Sequence, residues 1–344
     1  MIYINLLIII LLIIFIHELG HYCSARLFKA QVTDFSIGFG KSIFNFVDKH
    51  KTNWKISIIP LGGYVKIKGL DTIFQKKDSK IDEAGTFQSL SLLKKIIILL
   101  AGSFFNILSV FLILFIFIFF VGSKIYTNEI GGIIKNSPAE DNDIRKGDLI
   151  LSINNNDINN FKDIIKNIGN NDKIFLLIDR KNILIKKNIK LEYDEKLNRY
   201  ILGITNSDNF KNYKFYFIDS LKNSFFSIVG FYFQLFNSLE QSFKNNNITN
   251  DLTGPIGIVK NADKFNLNNF SGILNMFIIF SLSISMLNLL PIPLLDGGHI
   301  VYFTIRSIFS NSLPEFITKI YLVVGFTIIS FLFLIVTFND IFYK

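Results

Sequence analysis

Four stretches of the chain are apolar enough and long enough to cross a bilayer, and polar segments of unequal length separate them. The first runs from Ile2 through about Leu27, roughly 39 Å if fully helical at 1.5 Å per residue. The second covers Ile96 to Val121, the third Gly272 to Leu290, and the fourth about Phe316 to Phe338. This pattern predicts a polytopic α-helical membrane protein with four transmembrane helices, bounded at 1–27, 96–121, 272–300 and 316–338. The first span has neither the basic flank nor the small-residue cleavage site of a secretory signal, so it is expected to stay in the mature chain.

The intervening segments follow other periods. Between the first two spans, residues 28–95 alternate apolar and polar positions and are punctuated by glycine: Phe35 to Gly40, Trp54 to Pro60, and Leu61 to Ile67. Alternation with turn glycines predicts hairpins, forming a β-loop associated with the membrane. Residues 129–204 predict short strands and one helix, with Gly131-Gly132-Ile133-Ile134, Ser137-Pro138-Ala139, Gly147-Asp148-Leu149-Ile150 and Ser152-Ile153-Asn154 in order. That order resembles a PDZ domain, which would make this one inserted domain. Many PDZ domains carry glycine after that asparagine; here Asn155 and Asn156 follow, and asparagine tolerates positive φ.

Residues 215–243 place apolar and aromatic side chains at helical spacing, interrupted by Asp219, Lys222 and Glu240. A further span and an amphipathic surface helix both fit that spacing.

Composition adds orientation. Half of the 344 residues are hydrophobic, too many for an ordinary soluble protein. The net charge of +9 comes from 36 Lys and Arg scattered among Asn, Ile and Phe, with no basic helix or stacking motif, so nucleic acid is not an expected partner. From Arg26 to Lys95 there are 13 basic against 6 acidic residues, which makes this short loop the cytoplasmic one. The amino terminus and residues 122–271 then lie on the other face of the bilayer. Cys23 is the single cysteine, so no intrachain disulfide forms, and its expected role is packing.

Chemistry is concentrated inside the first span, where His17-Glu18-Leu19-Gly20-His21 places two imidazoles one helical turn apart on one face. Both can reach a single zinc ion while Glu18 projects beside them, and ionisable groups at this depth are expensive and usually functional. A hydrolytic zinc site needs a third ligand at the same depth. The segment Asn288 to His299 supplies Asp296 beside Pro291 and Pro293, which break the helix as a cavity-lining segment requires. His17 lies roughly 22 Å into its span, and Asp296 follows the carboxyl end of the third, so the two meet only if both helices run the same way. One span must therefore intervene, which assigns 215–243 to the outer surface, followed by a Gly-Pro-Ile-Gly linker through 271. Glu18 is the only carboxylate beside the histidines and can take a proton from water and pass it to a leaving amine.

Taken together, His17-Glu18-x-x-His21 and Asn288-x-x-Pro291-x-Pro293-x-Leu295-Asp296-Gly297 resemble the site-2 protease family of zinc intramembrane metalloproteases. The order of Gly38-x-Gly40, Ala101-Gly102 to Asn106, and Gly254 to Ile258 resembles its bacterial branch, the regulator of sigma-E protease group. The resemblance implies Zn2+ held by His17, His21 and Asp296, with Glu18 as catalytic base. It implies substrates that are single-pass membrane proteins, such as anti-sigma factors or signal-peptide remnants. It also implies a bacterial inner-membrane location, with the zinc toward the cytoplasm and the PDZ domain periplasmic, gating access or binding carboxyl-terminal peptides. Asn288 serves either to bind the scissile region or to satisfy carbonyls freed by the prolines. The β-loop, with Gly38 and Gly40, acts either as an edge strand that pairs with unwound substrate or as a structural cover. A catalytically inactive PDZ scaffold and a metal transporter are the competing classes; Glu18 and Asp296 weigh against the first, and the lack of repeated halves against the second.

Overall fold

The computed structural model describes residues 2–70, 85–195, 199–244, 257, 260, 267–309 and 314–342. All but Gly257 of the Gly254–Ile258 motif falls outside the described residues. The chain divides into two units, Met1–Leu114 with Ser224–Lys344, and Phe115–Asn223.

In the first unit, helix α1 (Ile2–Leu27) and helix α2 (Leu92–Phe120) are long, apolar candidate spans. Lys29 ends α1 by adopting φ 61°, a left-handed conformation that lets the Ala30 N–H bond the Ala25 carbonyl at 2.9 Å. Helix α6 (Phe270–Asn288) and helix α8 (Glu315–Phe342) are also long and apolar enough to cross a membrane. The short helix α7 (Asp296–Ile308) connects them. Leu6, Ile9, Ile13, Val110, Met276, Phe277 and Leu282 form the apolar core of this bundle.

Helix α5 (Phe217–Lys244) covers the segment expected as a surface helix. Its middle is packed against the bundle: Ile228 is buried, and the Tyr232 hydroxyl lies 2.7 Å from Ser285 Oγ on α6. Ser285 stands three residues before the end of α6. The middle of helix α5 therefore packs on α6. The buried phenol is satisfied by that serine, while Phe225, Phe226, Phe233 and Phe236 face outward.

Strands β1 (Val32–Val47) and β2 (Asn53–Ile67) form the predicted β-loop. Phe44 to Val47 pair antiparallel with Ile56 to Asn53, and Phe35 to Ile37 with Val65 to Gly63. Residues 34–37 also lie beside 53–56 with both numbers rising, so the first half of β1 sits between the two halves of β2. The bend that makes this possible falls at Gly38 and Gly40, with φ of 86° and 87°; a Cβ at Gly38 would sit 2.7 Å from the Ile59 carbonyl oxygen. Phe35 is buried and stacks on Trp54 at 4.2 Å, whereas Ile43, Phe44, Phe46 and Val47 are exposed along the far ribbon. Residues 63–67 have no second strand partner among the described residues.

The second unit contains β3 (Ser123–Tyr126) to β12 (Phe210–Tyr213) and two short helices, α3 (Pro138–Asp141) and α4 (Phe161–Ile168). Four central strands take the order β6-β5-β7-β8, covering Asn156–Asp157, Leu149–Ile153, Lys173–Arg180 and Ile183–Lys190. Ile150, Ile153, Ile164, Leu176 and Ile178 fill the core beneath them. The Gly147-Asp148 pair has a structural reason: Gly147 takes φ 88°, and buried Asp148 accepts two 2.8 Å bonds from Arg180 of β7. Asn155 takes φ 65° at the following turn, as asparagine permits.

Candidate metal centre

Helix α1 presents His17 and His21 on one face, with their Nε2 atoms 3.2 Å apart. The close approach of α1 to α2 requires glycine on both sides. A Cβ at Gly20 would lie 2.2 Å from the Ala101 carbonyl oxygen, and one at Gly102 would lie 2.4 Å from His21 Nε2. The Ala101-Gly102 pair is thus a seat for the imidazoles. His21 is oriented through its other nitrogen, Nδ1, 2.8 Å from the Ile98 carbonyl oxygen, the arrangement that frees Nε2 to bind a metal.

The third donor comes from beyond α6. Pro291 and Pro293 prevent the helix from continuing, Leu294 adopts φ 76°, and the chain re-enters a helix at Asp296. This turn is tight because Gly297 and Gly298 follow: their Cβ atoms would meet the Leu289 and Ile292 carbonyl oxygens at 2.2 and 2.0 Å. Helix α8 packs there in the same way, since a Cβ at Gly325 would lie 2.3 Å from Pro293 Cβ. Asp296 Oδ2 ends 3.2 Å from His17 Nε2 and 3.4 Å from His21 Nε2. The amide of Asn288 lies 3.2 Å from the same His17 nitrogen.

His17, His21 and Asp296 therefore offer one ligand atom each, all within 4.8 Å of one another, among the described residues. Two imidazoles and a carboxylate, converging with nitrogen and oxygen lone pairs on one point, are the donor set of a hydrolytic zinc site. The residues fit the metal. Around them is a cavity of about 530 Å³ bordered by Ile14, Glu18, Phe39, Gly63, Tyr64 and Asn288.

Glu18 faces this cavity together with Gly63 and Val65 of the sheet edge. The edge of the sheet thus lies beside the motif helix. Gly63 is needed for that approach: a Cβ there would lie 2.8 Å from the Ser36 carbonyl oxygen and 3.1 Å from Glu18 Cγ. Gly38 and Gly40 flank the cavity-lining Phe39 and shape the bend; the β2 residues that border the cavity are Gly62 to Val65 and Ile67. His299 borders the cavity outside the ligand cluster, and His50 sits in the turn between β1 and β2. Cys23 is exposed on α1, so the packing role expected for it is not what the fold uses. Its position, one residue past Tyr22, puts it on the outward face.

Gly102, Val65 and the Ile98 carbonyl border the cluster or its cavity without having been singled out as site residues by the sequence. Gly102 had a signal in the Ala-Gly pair. The other two had none, since any residue but proline supplies an N–H and any residue a carbonyl.

The helices and the site define a multi-pass membrane protein with a metal centre of the hydrolytic zinc type. Residues 5–332 match the model of peptidase family M50, and the chain belongs to that family. It is 35% identical over 354 residues to a protein of Rickettsia conorii, covering 98% of each. It is 34% identical to one of Fusobacterium nucleatum, over 96% of this chain and 95% of that one. A third, from Campylobacter jejuni, is 33% identical over 97% and 91% respectively. Each carries the name "Putative zinc metalloprotease". Among solved structures, a PDZ domain of an SdrC-like protein from Listeria monocytogenes aligns at 25% identity, covering 24% of this chain and 87% of that one, with a TM-score of 0.21. The chain is accordingly a zinc metalloprotease of the site-2 protease family.

Proposed function

We propose that the protein is an intramembrane endopeptidase that cleaves single-pass membrane proteins within or beside their transmembrane segments. The observation that carries this reading is the His17–His21–Asp296 cluster, assembled with Glu18 on one cavity between apolar spans. His17, His21 and Asp296 would hold the zinc. Zinc bound there supplies a Lewis acid and an acidified water for peptide hydrolysis.

The chain's own residues perform the remaining steps. Glu18 accepts a proton at its carboxylate and returns it to the departing amine, its stem lying beside Gly63 of the sheet edge. Asn288, adjacent to His17, donates to the scissile carbonyl. A helical substrate must first unwind, because its amides are bonded internally. The edge at Gly63–Ile67 is open to an extended strand, and adding one satisfies the freed amides. The basic loop at 26–95 supports a cytoplasmic position for this edge, with the inserted PDZ-like domain on the opposite face, binding carboxyl termini or gating access. Release of an anti-sigma factor or removal of a signal-peptide remnant fits this arrangement.

The test uses the full chain in proteoliposomes with a single-pass substrate. Glu18→Gln is expected to bind one zinc per chain and to cut no substrate, and undiminished cleavage by this variant overturns the reading.

A further inference from the structure

Helix α2 contains two buried polar side chains that neither the metal centre nor the bundle uses. Ser103 is 1% exposed and Asn106 is fully buried, yet Ser103 Oγ and both side-chain atoms of Asn106 have no hydrogen-bond partner among the described residues. Only the main chain of Asn106 is engaged: its carbonyl accepts from Ser109 Oγ at 2.7 Å and from Ser281 Oγ at 3.3 Å. An amide left unbonded in an apolar interior is destabilising, so such a group is retained for a partner.

A fourth polar atom without a partner belongs to the helix packed against this stretch. His17 Nδ1 is buried and unbonded, whereas the equivalent atom of His21 is held by Ile98. The ring orientation of His17 is given by Gly102, whose Cβ would sit 2.7 Å from both Cε1 and Nε2. The Cε1–Nε2 edge of the ring therefore faces α2, with Nδ1 bonded to Cε1 at its end. Ser103 adjoins Gly102 in sequence, and Asn106 follows it by four residues on the same helical face.

We infer that Ser103 and Asn106 are positioning residues for His17. The His17 Nδ1–H donates to a bridging water that in turn donates to Asn106 Oδ1 and Ser103 Oγ. This fixes the tautomer with a lone pair on Nε2, which the ligand role requires, and explains why the segment from Ala101 to Asn106 carries an amide as well as a glycine. The inference rests on His17 being a zinc ligand, as proposed above.

Zinc affinity, measured by competition with a chromogenic chelator on the full chain in detergent, tests it. Asn106→Leu, which keeps the volume and removes the acceptor, is expected to weaken zinc binding by roughly 10- to 100-fold. Asn106→Asp, which keeps an acceptor, is expected to hold zinc as well as the wild type or better, a rescue that a packing role would not produce. Ser281→Ala touches only the Asn106 main chain and is expected to leave the affinity unchanged. In the Co2+-loaded chain, Asn106→Leu should also shift the visible absorption bands. Should that variant fail to fold, Ser103→Ala is the second arm, with a several-fold loss expected. Wild-type affinity in every variant that folds overturns the inference while leaving the proposed function intact. A wild-type chain that binds no zinc overturns the proposed function.

Discussion

At the scale of single residues, the metal centre depends on what is absent as much as on the ligands. Gly102 is the clearest case, because any side chain there occupies the position of the imidazoles. Gly102→Ala is expected to cost about 1–3 kcal/mol of stability by overpacking, and to displace the histidines enough to weaken zinc binding. Thermal melts and chelator competition on the same sample measure both. Asp48 does a different task. It accepts from Tyr22 Oη, Trp54 Nε1, and the backbone N–H groups of His50 and Thr52, at 2.8 to 3.0 Å, and so joins the β-loop turn to the end of the motif helix. Desolvation by itself would raise its pKa, but these hydrogen bonds prevail and bring it down to about 2. A depressed carboxylate contributes stability that is complete above its unfolded pKa, about 3.9, and is lost as pH falls through the folded value. The gap in melting temperature between wild type and Asp48→Asn is therefore expected to be widest near neutrality and to shrink from about pH 4 toward pH 2. A constant gap across that range would remove the ionised carboxylate from the explanation.

At the scale of elements, the interaction that matters most is between a strand edge and a helix. Gly63 on β2 approaches the stem of Glu18 on α1, and Val65 lines the same cavity, which puts the β-loop edge beside the proposed base. Val65→Pro removes an N–H from that edge while leaving the candidate zinc ligands untouched. Cleavage is expected to fall by at least roughly tenfold with zinc content unchanged, and Val65→Ile, which retains the N–H, to stay near wild type. Comparison of kcat with zinc stoichiometry separates the two effects. Helix α5 shows the limit of periodicity. Its spacing of Phe and Tyr fits a surface helix and a buried one alike, and the tertiary contact of Tyr232 with Ser285 is what packs its middle on α6.

At the scale of the whole molecule, the metal centre belongs to one of the two units. Every member of the ligand cluster, with Glu18, Asn288 and the β-loop edge, lies within Met1–Leu114 and Ser224–Lys344. The inserted unit has its own core of isoleucines and leucines and an internal Arg180–Asp148 pair. Replacing residues 123–213 by a short Gly/Ser linker is expected to leave one zinc per chain at unaltered affinity, and to change which substrates are cut. Loss of zinc from that variant would show that the inserted unit supports the centre itself.

The sequence by itself determined the class of the protein and most of the centre. Spans are legible because hydrocarbon excludes polar residues over about 20 positions, and His17, Glu18 and His21 because one helical turn places them on one face. Asp296 was legible because carboxylates at membrane depth are few and prolines mark a broken helix. Tertiary structure decided the rest. That Gly63 meets Glu18, that Gly102 seats the imidazoles, and that Ile98 orients His21 depends on groups brought together from distant parts of the chain. Backbone groups are the same at every residue but proline, so only the packing of helix against helix and sheet against helix selects which of them reach the metal site.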